Sequence, residues 1–238
     1  QGQHGWTPEF AGRGLNPMPV YAWNDRTWQA LDAQNVVAER IGAPFLYLPQ
    51  DPIETHVQNS LIAFPMHSTP GYPFENRLAG MEEYAKWLSE LRQTHGLSQV
   101  TVCLALIDYS DFAVVAMLRR YGHVVATCGA QFDTAYLVRQ RAFMLQHDVV
   151  TSNSVCTAIF YAAALGRPVF ISGPVAGRVE KLARGEHIAM QVADPQWISS
   201  AFPQIPRGIE QAKALAELGD RELGMEYRKS PWELWSLL

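Results

Sequence analysis

The sequence predicts an α/β fold on a doubly wound parallel sheet, with a short, incomplete α/β portion ahead of it. Three observations carry this expectation. Short apolar runs alternate with helix-length stretches from about Ser60 to Gly173, the pattern of a parallel sheet with crossover helices. The run Val100–Ile107 is apolar enough to be buried on both faces, as strands of such sheets are. Each strand-like run ends in a loop rich in polar, Gly or Pro residues, and five such strands in roughly 110 residues suit one domain of this kind.

The elements follow in order. Leu61–Phe64 is a short strand that ends in the loop Pro65–Gly71. Leu78, Met81, Tyr84, Ala85, Leu88 and Leu91 recur at helical spacing, so a helix spans Glu75 to about Thr94 with Gly96 as its stop. After the strand Val100–Ile107, the run Asp108-Tyr109-Ser110-Asp111 can cap a helix Phe112–Tyr121 closed by Gly122. His123–Cys128 is the next strand, followed by the loop Gly129–Asp133, a helix from about Thr134 to Gln146 and the strand Asp148–Thr151. Ser152-Asn153-Ser154 opens an almost wholly apolar helix to about Leu165, Gly166 caps it, and Pro168 leads into the strand Val169–Ser172. Upstream, Gln1–Pro19 shows no clear period, while Pro19–Trp23 reads as a strand, Asp25–Ala33 as a helix and Phe45–Leu48 as a strand. The tail carries a helix from about Arg207 to Leu218. The expected division is a partial N-terminal portion over 1–58 and a doubly wound domain with a helical tail over 59–238. The abrupt start at Gln1 suggests a missing N-terminal domain.

Composition narrows the classes of function. The net charge of -4 and the scatter of Lys and Arg argue against nucleic acid as a partner, since such binding needs clustered cations. No apolar run approaches the ~20 residues that span a bilayer, and no secretory signal is recognisable. Cys103, Cys128 and Cys156 lie in apolar stretches without metal-ligand spacing, which points to buried free thiols in a reducing, cytoplasmic setting. Neither a P-loop, a GxGxxG fingerprint, HExxH nor a GxSxG elbow is present.

In an open parallel sheet the chemistry belongs to the loops that follow the strands. Thr151-Ser152-Asn153-Ser154 sets three hydroxyls and an amide at a strand-to-helix junction, where unpaired backbone N–H groups and the helix dipole favour an anion. Ser152, Asn153, Ser154 and Thr157 are therefore candidate phosphate ligands, with a plain N-cap at Ser154 as the competing role. His67 ends a strand in a Pro-rich loop, where an imidazole can meet a phosphate oxygen or protonate a leaving group; a structural hydrogen bond is the alternative. Asp108 suits a ribose hydroxyl or a base amino group, Tyr109 can pack on a ring, and Gly129 lets a nucleoside approach closely. A helix cap and a turn glycine compete for Asp108 and Gly129. His4 and Asp25 are candidate bases for an acceptor hydroxyl.

The segment DVVTSNSVCTAIFYAAALGRPVFISG resembles the donor-domain signature of GT-B glycosyltransferases of bacterial capsule and lipopolysaccharide synthesis. In that group a Ser-containing turn precedes Gly-Thr-Ala; here Cys156 stands at the glycine. WNDR, IGAPFLYLP, IDYSD and KSPWEL are similar to the same group. The resemblance implies sugar transfer from a CMP-, UDP- or GDP-linked donor to a glycan or lipid-linked acceptor. It implies no bound metal and no cofactor, and an acceptor side that begins within residues 1–58. Enzymes of that superfamily that use CMP-activated sugars pair a His loop with a Ser/Thr loop at the phosphate, and His67 with Ser152 and Ser154 is similar in placement. His67 is followed by Ser68 where those enzymes have Pro. An epimerase or hydrolase on the same scaffold, or a non-catalytic binding module, stays open, as do peripheral membrane association and a homo-oligomer.

Overall fold

The structure, a computed structural model, describes residues 19–50, 52, 55–68, 77–174 and 194–237. The described residues open on a small parallel pair, β1 (Val20–Ala22) and β2 (Ala38–Arg40), joined by α1 (Asp25–Asp32). The side chain of Asn24 caps α1 by accepting from the Thr27 amide. Next comes a 3-10 turn, Pro44–Tyr47, where a strand is expected from the sequence. Pro44 supplies the reason, since its fixed φ suits the first turn of a helix.

The alternating region then forms β3 (Ser60–Ala63), α2 (Arg77–Thr94), β4 (Gln99–Leu104), α3 (Leu106–Tyr109), α4 (Phe112–Arg120) and β5 (Val124–Thr127). It continues through α5 (Tyr136–Leu145), β6 (Val149–Ser152), α6 (Thr157–Ala164) and β7 (Pro168–Ile171). Among the described residues the main sheet runs β5-β4-β3-β6-β7 in parallel, with β8 (Lys213–Ala214) antiparallel at the edge. This mixed α/β architecture, mostly parallel and doubly wound, is the one expected. β4 ends three residues early because Ala105 turns the chain into α3.

The tail departs from its expected helix. Ile209–Gln211 is a 3-10 turn, then β8 pairs with β7, and only Ala216–Leu223 is helical, as α8. Tertiary pairing along the β7 edge outweighs local helix propensity here. Two further helices, α7 (Pro195–Ala201) and α9 (Pro231–Trp235), complete the described tail.

Two apolar layers sandwich the sheet. On one face Leu61, Ala63, Val100, Val102 and Leu104 meet Met81, Tyr84 and Leu88 of α2 and Val114 and Leu118 of α4. On the other, Ile62, Cys103, Val150, Val169 and Ile171 meet Met144 of α5, Ile159 and Ala162 of α6, and Leu218 of α8. Phe45 and Leu46 enter this second layer, and the Phe45 ring stacks on Tyr161 at 4.1 Å. α8 crosses α6 closely at Gly219, where a Cβ would lie 2.2 Å from the Ala164 amide nitrogen. Its end is stitched to the N-cap of α1 and to the segment after β2: Asn24 Nδ2 donates to the Glu222 carbonyl and the Ala43 amide to the Leu223 carbonyl. Gly224, with φ +70°, abuts the Trp23 carbonyl so closely that no side chain fits.

Candidate functional site

α2 and α4 serve one face of the sheet, while α5 and α6 serve the other. The two winding directions therefore part between the neighbours β3 and β6, the point at which open α/β sheets bind ligands outside their carboxyl ends. β3 delivers Pro65–Ser68 to this crevice, and β6 delivers Asn153–Cys156.

Asn153 joins the two. Its Oδ1 accepts from the Met66 amide at 2.8 Å, and its Nδ2 donates to the Pro174 carbonyl, beyond β7, at 2.9 Å. One partner only donates and the other only accepts, so the amide has a single orientation. The residue is 3% exposed. Asp108, on α3, forms a second tie: it accepts from the Ser68 amide at 3.2 Å and pairs with Arg77 of α2. Burial pushes the Asp108 carboxyl above its ordinary value, and the Arg77 charge and the Ser68 amide pull it back. Arg77 stays protonated, and its charge makes the burial of a carboxylate tolerable. Two side chains thus hold together the loops after β3, β4, β6 and β7.

His67 is exposed on this frame. Its Nδ1 lies 2.8 Å from the Ser68 carbonyl; a carbonyl only accepts, so Nδ1 carries the hydrogen and Nε2 is the other face of the ring. Ser152 and Ser154 are buried, and the Ser154 amide donates to Ser152 Oγ at 3.2 Å. α6 begins later than its sequence suggests. β6 runs on through Ser152, which pairs with Ile171, and Cys156 rather than Ser154 is the N-cap, with no side-chain cap hydrogen bond. Burial raises the Cys156 thiol, opposed by the Ser152 hydroxyl and by the Ile159 and Ala158 amides. The Ser152 hydroxyl and the Ile159 amide, which donates to the Cys156 carbonyl at 3.1 Å, therefore serve the chain itself, and the start of α6 offers the positive end of its dipole.

The remaining candidates lie apart from this junction or are engaged by their own neighbours. Tyr109 packs against the apolar layer between the sheet, α2 and α4. Gly129 has φ +84°, and the space where its Cβ would stand is bounded at 3.0 Å by the Arg139 guanidinium, itself bonded to the Cys128 carbonyl and Asp133. Asp25 starts α1, where the Tyr227 hydroxyl and Arg40 hold its carboxyl below the ordinary value. Arg40 lies over the rings of Tyr227 and Trp28, at 4.6 and 4.8 Å, and lines a cavity of about 550 Å³ with Tyr21, Val37 and Lys229. The charges there are already matched, Arg40 by Asp25 and Lys229 by Glu39, so the cavity offers an incoming anion less than the switch point does. His4 lies outside the described residues. Among those residues no three His, Cys, Asp or Glu side chains gather as a metal site, and no helix is long and apolar enough to cross a membrane.

Arg77 is the participant that sequence reasoning missed. A signal existed: a cation at the start of a helix opposes the dipole and calls for a nearby anion, here Asp108.

No protein-family model matches the chain, and no curated protein does. Solved structures do show similarity. TarM is 14% identical with a TM-score of 0.38, over 92% of this chain and 43% of that one. The wall teichoic acid polymerase TagF is 12% identical with a TM-score of 0.39, over 92% and 56%. UDP-GlcNAc 2-epimerase from Neisseria meningitidis, solved with UDP-GlcNAc, is 10% identical with a TM-score of 0.38, over 87% and 60%. The chain thus spans less than two thirds of each of these proteins. At such identities and scores no residue here takes a role from the likeness.

Proposed function

We propose that the chain supplies the donor-binding part of a glycosyltransferase, moving a sugar from a nucleotide-activated donor to a glycan or lipid-linked acceptor in cell-surface polysaccharide synthesis. The supporting observation is the tie at the switch point between the loop that carries exposed His67 and the loop that leads into α6, made by the Met66 amide and Asn153. In this reading the donor phosphate meets the Ser152–Ser154 turn and the start of α6, where the positive end of the helix dipole takes up negative charge without a metal. His67 Nε2 meets the phosphate that leaves the sugar, and a proton there stabilises the charge that develops as the glycosidic bond breaks. Asp108 acts by position, setting Ser68 and with it the ring of His67. Tyr109, at the end of α3, and Gly129, after β5, are assigned to the side of the nucleoside. Asp25, committed to Arg40 and Tyr227, is left out of this assignment.

Calorimetric titration of the chain with CMP, UDP and GDP tests the proposal. One nucleotide is expected to bind, and His67→Ala to weaken it about tenfold, or ~1.4 kcal/mol. Absence of heat with all three overturns it.

A further inference from the structure

Two of the three cysteines, scattered in sequence, lie side by side in space. Cys103 on β4 and Cys128, the residue after β5, hold their Sγ atoms 3.6 Å apart. Strand pairing brings this about. Cys103 stands opposite Ala126 in the parallel ladder, and Cys128, two residues on, falls on the same face as Ala126. Both residues are buried and neither is bonded in a disulfide. Arg139 donates through Nε to the Cys128 carbonyl at 2.7 Å, which holds a cation beside that cysteine.

The two thiols are not equivalent. The hydrogen bond from Cys103 lowers the Cys128 thiol, aided by the Arg139 charge, whereas the same hydrogen bond and burial raise Cys103. The Arg139 cation held at the Cys128 carbonyl favours a thiolate on that cysteine, and thiolates are the nucleophiles of sulfur chemistry. β5 is an edge strand that pairs with β4 alone among the described residues, and its Val124 is 46% exposed. Edges of this kind open locally far more often than the whole fold does, which gives a small oxidant access to Cys128.

We propose that Cys103 and Cys128 form a reversible dithiol–disulfide couple, with Cys128 as the attacking thiolate, Cys103 as the resolving thiol and a hydroperoxide as the oxidant. In the first step Cys128 attacks the terminal peroxide oxygen. The S–O bond forms as the O–O bond breaks, and the departing alkoxide or hydroxide takes up, through solvent, the proton that Cys128 released on ionising and leaves as alcohol or water. In the second step Cys103 attacks the Cys128 sulfur, forming the S–S bond as the S–O bond breaks. Hydroxide leaves and takes up the Cys103 proton as water. Two electrons pass from the thiol pair to the peroxide, and a dithiol reductant restores the pair by exchange. The sulfurs must close from 3.6 Å to about 2.05 Å, which draws the end of β5 and the Gly129 loop toward β4. The couple stands whether or not a nucleotide binds at the switch point.

The test uses the folded chain, treated with hydrogen peroxide, alkylated to block remaining thiols and mapped by peptide mass spectrometry. Titratable thiols should fall from three to one, with Cys103 and Cys128 in one linked peptide that dithiothreitol separates. Cys156→Ser should keep the link. Cys103→Ser should leave Cys128 as a sulfenic acid or a higher oxide, and Cys128→Ser should leave Cys103 as a thiol. The proposal is overturned if both cysteines still alkylate fully after peroxide, if Cys156 takes part in the link, or if the link forms only after denaturation.

Discussion

Replacing Asn153 by alanine removes an acceptor and a donor in one step. The Met66 amide and the Pro174 carbonyl lose bonds of 2.8 and 2.9 Å, and at 3% exposure little water reaches the position they leave. A buried polar group without a partner costs about 1–3 kcal/mol, so two such groups cost roughly 2–6 kcal/mol. Met66 is only half-buried and can turn its amide toward water, which places the expectation near the lower end, about 2–3 kcal/mol. For a urea slope of about 2 kcal/mol per molar, the midpoint of unfolding should fall by roughly 1–1.5 M. Tryptophan fluorescence across a urea series measures this directly. Asn153→Asp should also be destabilised, because the side chain keeps its acceptor for Met66 but turns a carboxylate oxygen on the Pro174 carbonyl. A midpoint for Asn153→Ala within about 0.3 M of the parent protein would refute the idea that this side chain holds the strand ends together.

Gly219→Ala sets two effects against each other. Alanine gains about 1 kcal/mol of helix propensity, but its Cβ would stand 2.2 Å from the Ala164 nitrogen. A backbone atom cannot step aside, so the clash wins with a net loss of about 1–3 kcal/mol; a higher melting temperature would count against this. Asp108→Ala removes the buried carboxylate from beside Arg77 and breaks a buried pair, a change worth about 3–5 kcal/mol. The 13% exposure of Arg77 favours the lower figure, and a stability change near zero would show that Asp108 does not hold this loop. His147 accepts at Nε2 from the Thr101 hydroxyl and donates from Nδ1 to the Phe143 carbonyl, and burial holds its pKa below the ordinary 6.5. The unfolded chain then takes up a proton before the folded one as pH falls through 6.5. Stability is full above that value and declines below it. Buried His123 is lowered in the same way, so His147→Gln should make the decline shallower without abolishing it. Equal slopes in the two proteins would refute the assignment.

The parallel region was legible because burial on both faces leaves a strong pattern: Val100, Val102 and Leu104 face one layer and Cys103 the other. Strand order was not, since no local signal says that β3 lies between β4 and β6. That order turns two loops 87 residues apart, at Met66 and Asn153, into neighbours. His67 and the Ser152–Ser154 turn were legible as strand-end polar groups. What Asn153 does was hidden, because its partners are backbone groups whose positions only the tertiary structure sets. The Cys103–Cys128 contact was hidden for the same reason, as it depends on register. At Pro44 the reverse holds: the residue that makes a 3-10 turn of the expected strand was visible, and the apolar run after it obscured the signal.

The stitch between Asn24 and Glu222, made across 198 residues, also bears on the order of events as the chain emerges from the ribosome. The residues of β1, α1 and β2 are synthesised long before Leu223 and Gly224, against which they dock. Closing so long a loop adds little to its entropic cost, which grows only with the logarithm of length, but contacts of such wide separation slow the search for the native state. Until α8 arrives, Phe45 and Leu46 lack part of their cover. That interval is when a nascent chain has use for a chaperone, and when a ribosome paused before Gly224 would hold β1 and α1 apart from the segment on which they dock.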